Sequence, residues 1–119
     1  MDQLQKGFFN FCPGETWQPT VNLYETEEAY LVCIDLAGVE QEKIDLVVVE
    51  NQLRLRGARP APAPPTGPED CGKRVRVHLM EIDHGPFLRE VDLPNDVDCQ
   101  NVNASYRNGM LWVELPKKK

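Results

Sequence analysis

The residues best suited to chemistry lie between Cys71 and Cys99, where His78, Glu81, Asp83 and His84 fall close together. A zinc site draws its Cys and His ligands from short-spaced pairs. Cys71, His78, His84 and Cys99 are too widely and irregularly spaced to form such pairs. Acid–base catalysis needs groups that converge on one point, yet on an extended strand His78 and Asp83 point to opposite faces. No serine or cysteine stands at a nucleophile elbow, and no glycine-rich loop is placed to cradle a phosphate. Cys12, Cys33, Cys71 and Cys99 include no C-x-x-C pair and are expected to be free thiols in a reducing compartment. These residues therefore predict a chain that is no enzyme and carries neither metal nor cofactor.

What remains is a pattern of elements. At 119 residues the sequence suits one domain with a core of its own. The net charge of -6 and the absence of a basic stripe outside Lys117, Lys118 and Lys119 argue against nucleic acid as a partner. No run of apolar residues is long enough for a membrane span, and "MDQLQKGFFNF" lacks the basic and apolar regions of a signal peptide, so a cytoplasmic protein is expected. Asn103-Ala104-Ser105 fits a glycosylation sequon, which has no meaning in that compartment.

Strand periodicity dominates the chain. "VNLY" and "AYLVCIDL" read as two strands joined by an acidic turn. In "KIDLVVVENQLRLRG", Ile44, Leu46 and Val48 alternate, Glu50 and Asn51 make a tight turn, and Leu53 and Leu55 return. "RVRVHLMEI" and "PFLREVDLP" both have period two. "NASYRNGMLWVELP" is a hairpin whose Asn108-Gly109 turn fixes the register, setting Arg107 against Met110, Tyr106 against Leu111, Ser105 against Trp112 and Ala104 against Val113. Its predicted core face is Ala104, Tyr106, Leu111 and Val113. "GVEQEKI" and "DVDCQN" read as turns, so helix content should be low and about seven strands should form a sandwich.

Ala104-x-x-x-Asn108-Gly109-Met110-Leu111, closed by "VELPK", resembles the A-x-x-x-n-G-v-L signature of the small heat-shock protein, or α-crystallin, family. "HGPFLREVDLPNDVD" resembles that family's G-x-F-x-R-x-x-x-L-P-x-x-V-D block, and the stretch from "VNLYETEEAY" to "LRLRGAR" resembles its opening strands and hairpin. The likeness runs from about Trp17 to Lys117. Ala37 stands where the family usually has proline.

The resemblance implies an all-β, immunoglobulin-like sandwich of two antiparallel sheets, with a long loop carrying a dimer-exchange strand. It implies an ATP-independent holdase that binds non-native proteins and prevents their aggregation. Two alternatives stay open: a tail-less subunit that modulates a tailed paralogue by co-assembly, or a co-chaperone of the CS-domain type. The implied organisation is an aromatic arm over 1–16, the domain over 17–116 with a proline-rich loop at 59–76, and a short tail at 117–119. Val77, Leu79, Glu81 and Arg89 are the implied dimer-interface residues, with "VHLMEI" as the exchanged strand and Arg89 expected to pair with carboxylates. Ile44, Leu46 and Val48, with Ser105 opposite, are the implied groove for a client or for a tail of the I-x-I kind. The sequence stops at Lys119 without such a motif, so a homodimer or modest assembly is expected, or a hetero-oligomer with a tailed paralogue. Phe8, Phe9 and Phe11 are candidate client contacts. Burying them is worth about 5 to 9 kcal/mol, whereas ordering a dozen residues costs about 12 to 24 kcal/mol, which predicts a head left mobile in a lone dimer.

Overall fold

The computed structural model describes residues 16–64 and 75–119. Phe8, Phe9, Phe11, Cys12 and Cys71 lie outside the described residues, and the expectations attached to them are not addressed by the structure.

β1 (Val21–Glu25) and β2 (Ala29–Asp35) form the first hairpin. Its acidic turn is closed by Thr26, whose Oγ1 accepts from the Ala29 amide at 3.0 Å while its own amide donates to the Ala29 carbonyl at 2.8 Å. A single 3-10 turn at Gln41–Lys43 leads into β3 (Ile44–Val49), which pairs with β4 (Gln52–Arg59). The joining residues Glu50 and Asn51 both have positive φ, 53° and 64°, as a two-residue turn between twisted strands requires. β5 (Gly85–Asp92) pairs with β4, and β6 (Asn103–Arg107) turns at Asn108 and Gly109 into β7 (Met110–Pro116). The last register has the four pairs expected from the two-residue loop.

The strands make two antiparallel sheets, ordered β1-β2-β7-β6 and β3-β4-β5. Alternation places Val32 and Ile34 from β2, Leu53 and Leu55 from β4, Phe87 from β5, and Leu111, Val113 and Leu115 from β7 in one core between the layers. This is the sandwich that the strand count and turn spacing predicted.

The structure corrects one expectation. Ala104 is exposed rather than part of the core, because β6 is the edge strand of its sheet and borders an open groove. Residues 75–84, the described part of the period-two segment after the prolines, run between β4 and β5 without joining either sheet of their own chain. Periodicity reports which faces a strand would have, not which neighbour supplies its hydrogen bonds.

Two glycines are fixed by their surroundings. Gly57 lies opposite Phe87 on β5, and a Cβ there would sit 2.5 Å from the Phe87 ring and 2.6 Å from the Lys43 carbonyl. Gly109, at φ 78°, abuts Ala37, and its carbonyl accepts from the Leu36 amide at 2.8 Å. That contact docks the Leu36–Val39 turn against the last hairpin. The Tyr106 hydroxyl reinforces it, lying 2.7 Å from the Leu36 carbonyl and 2.8 Å from that of Val39.

Candidate functional site

The free edges of the two sheets approach each other at β3 and β6, and the gap between them is an open groove of about 170 Å³. Gln41, Ile44 and Leu46 line one side, with Ala104, Ser105, Tyr106 and Leu111 on the other. Three of the four predicted groove residues, Ile44, Leu46 and Ser105, are thus brought together. Val48 lies farther along β3 and packs on the core outside the groove. Gln41, Ala104, Tyr106 and Leu111 were not assigned to it from the sequence. The hairpin register already carried the signal for Ala104, whose place beside Ser105 on an edge strand puts it on the rim.

A second apolar surface belongs to the segment before β5. Val75, Val77, Leu79, Met80 and Ile82 are all exposed, as are Glu81 and His78. The base of this arm is held by Arg59, the last residue of β4. Its guanidinium donates from Nε to the Asp83 carbonyl at 3.0 Å and from Nη2 to the same oxygen. Its Nη1 reaches the Ala37 carbonyl at 3.2 Å, and the group stacks 4.4 Å over the Trp17 ring. Trp17 in turn bridges to Phe87 on the free side of β5 and donates its indole N–H to the Gly85 carbonyl at 3.1 Å. One cation therefore ties together the N-terminal lead-in, the Leu36–Val39 turn and both ends of the arm.

The third surface is the outer face of the four-stranded sheet. Tyr24 from β1 and Trp112 from β7 stack across β2, with ring centroids 6.1 Å apart and planes 23° apart. The rings lie over Leu31 and Cys33, and the Tyr24 hydroxyl accepts from Asn22 Nδ2 at 2.9 Å. Burial, and secondarily Asp35, pushes the Cys33 thiol above its ordinary pKa. Leu23, on the opposite face of β1, is also exposed, because β1 has no neighbour on its outer side among the described residues.

Arg89 points to the core side of β5 opposite Leu55, and its Nη1 donates to the Pro19 carbonyl at 3.1 Å. Within the single chain its partner is therefore a carbonyl rather than the expected carboxylate. The buried Pro19 of the N-terminal lead-in offers that oxygen in place, and four of the five guanidinium N–H donors remain for other partners.

At the far end of the sandwich the chain beyond β7 is fastened. The Lys117 amide donates to the Glu28 carbonyl at 2.9 Å, and Lys117 Nζ pairs with Glu25 at 2.7 Å. The Tyr30 hydroxyl donates to Asp96 at 2.8 Å, which, with burial, pushes its pKa up to about 12. Among the described residues no three His, Cys, Asp or Glu side chains gather as a metal site would require, and Cys33 and Cys99 are both free. No helix among them is long and apolar enough to cross a membrane.

The sequence profile of the Hsp20/alpha crystallin family matches residues 22–119. Small heat shock protein C4 of Rickettsia felis is 31% identical over an alignment spanning this whole chain and 74% of that protein. The chain belongs to the Hsp20/alpha crystallin family. Among solved structures, hspA from Xanthomonas axonopodis superposes with a TM-score of 0.71 at 27% identity, covering 87% of this chain and 96% of that one. HSP18.5 from E. histolytica gives 0.69 at 28% identity over 87% and 91%. The chain spans 61% of the Small heat shock protein C2 of R. felis and 55% of Spore protein SP21 of Stigmatella aurantiaca, so it accounts for only part of those relatives. The membership places the β-sandwich among the small heat-shock chaperones.

Proposed function

We propose that this protein is an ATP-independent holdase that binds non-native polypeptides and keeps them from aggregating. It acts in the cytoplasm as a homodimer in which residues Val77–Ile82 of each subunit extend the partner's sheet at β1. Val77, Leu79, Glu81 and Arg89 form the interface, and the groove at Ile44, Leu46 and Ser105 takes an extended apolar segment from a client or from another subunit. One observation carries this reading: an arm with most of its apolar side chains in solvent leaves a sandwich that also has an unpaired edge strand. An isolated chain with both features is an aggregation hazard, and pairing them across a two-fold axis removes two edges at once. Binding without catalysis fits a surface made of apolar grooves and sheet edges.

The test is light scattering from a heat-denatured client with this protein added and no nucleotide. Scattering should fall in proportion to the protein added. Undiminished scattering would overturn the holdase reading in favour of a subunit that acts only by modulating a paralogue.

A further inference from the structure

Each sheet of the sandwich has an outer face, and the two faces settle their charges differently. On the three-stranded sheet the register sets Arg54 beside Glu90 and Arg56 beside Asp45, and both close as ion pairs, at 3.8 and 3.3 Å. That face is neutralised from within. On the four-stranded sheet the outward positions of β7 include Met110, Trp112 and Glu114. Asp35 on β2 and Arg107 on β6 flank Met110 from its two sides and offset each other's charge. Glu114 has no such counterpart: it is exposed, and among the described residues no base closes an ion pair with it. Lys117, three residues on, is committed to Glu25.

Beside this carboxylate lies aromatic surface. Trp112 is 39% and Tyr24 46% exposed, and their rings stack across the half-buried Leu31 and Cys33. An exposed apolar patch rimmed by polar groups marks an interaction site. Its charge chooses the partner. Nucleic acid and anionic lipid are repelled, and a cationic group is drawn in. Arginine suits the site better than lysine, because a planar guanidinium stacks on a ring while its edge still donates to a carboxylate. Trp112 and Glu114 are two residues apart on one face of a strand, about 6.6 Å, so one guanidinium can engage both. Met110 continues the row two residues the other way, and an extended polypeptide repeats its own same-face side chains at that spacing.

Resting on the holdase reading above, we infer that the outer face at Tyr24, Trp112 and Glu114 binds extended client segments in which an arginine stands two residues from a large apolar side chain. The guanidinium stacks on Trp112 and donates to Glu114, and the apolar side chain rests on Met110. The net charge of -6 turns acidic segments away, so the face sorts clients by charge as well as by apolar content.

Calorimetric titration of the full chain tests this with short tryptophan-free peptides that contain Arg-x-Leu twice, or glutamine or glutamate in place of each arginine. The arginine peptide should bind several-fold more tightly than the glutamine peptide, and the glutamate peptide most weakly. Glu114→Gln should remove most of that advantage, whereas Glu27→Gln, which takes the same charge from the exposed β1–β2 turn, should leave it intact. Equal losses in the two variants would reduce the effect to net charge and overturn the site, as would equal binding of the arginine and glutamine peptides. In a Trp17→Phe chain Trp112 is the one remaining tryptophan, and its emission should change when the arginine peptide binds. Binding with unchanged emission puts the peptide elsewhere and overturns the assignment. Trp112→Thr, in the native background, should weaken the arginine peptide several-fold at unchanged solution mass; a fall in mass gives the face to a second copy instead. Undiminished scattering of a heated client strikes the holdase reading by itself, whereas protection without any preference among the peptides overturns only the charge selection inferred here.

Discussion

Gly57 has no side chain because Phe87 and the Lys43 carbonyl occupy the space where one would be. The ring cannot simply step aside, since it is buried and packs edge-on against Trp17 at a centroid distance of 5.4 Å. Gly57→Ala should therefore cost about 1–3 kcal/mol through displacement of the ring, read as a lower midpoint in thermal unfolding. Tyr30 illustrates a different single-residue constraint. Its folded pKa is raised from 10.0 to about 12 because its hydroxyl donates to Asp96. The stabilisation is then fully present below the ordinary phenol value and is lost as pH rises through the folded one. In an alkaline ultraviolet titration of the three tyrosines, one should ionise last, near pH 12. That step should vanish in Tyr30→Phe; its survival there would assign the late step to another ring.

Among the elements, the strands and their tight turns were readable because each depends on short-range rules. Asn108-Gly109 specified its turn, the turn specified the register, and the register placed Leu111 and Val113 in the core. Local rules do not say which strand ends up at an edge, so Ala104 was assigned to the interior when it lines the groove rim. They are equally silent on contacts distant in sequence. Nothing in "LRLRGAR" announced that Arg59 would meet Ala37, Asp83 and Trp17 at one point. Replacing it with methionine tests that junction, because the new side chain keeps the apolar stem over the indole but removes every donor. Arg59→Met should leave both sheets folded yet destabilise the protein by about 1–3 kcal/mol through the stranded carbonyls. Faster protease cleavage between Arg59 and Gly85 should accompany the loss; unchanged cleavage would mean that the guanidinium does not hold the arm.

For the molecule as a whole, the groove between β3 and β6 and the arm before β5 lie on separate parts of the sandwich and can be perturbed separately. Ala104 is exposed at the groove rim and pairs with the inward-facing Val113 across the last hairpin, so a large side chain can enter there without displacing a buried one. Ala104→Trp should fill much of the groove, reduce protection of a heated client and leave the solution mass unchanged. Full protection by that variant would remove the groove from the client-binding surface and leave the arm or other regions to carry it.

Arg59 and Gly85 are themselves a cross-strand pair, the last rung of the β4–β5 ladder, so the excursion between them starts and finishes at one fixed point. Lengthening or shortening that excursion leaves every rung of both sheets untouched. A single cut within it would leave two fragments that still share a core and migrate together until denatured. Evolution can therefore retune the length of that excursion while the scaffold that carries it stays the same.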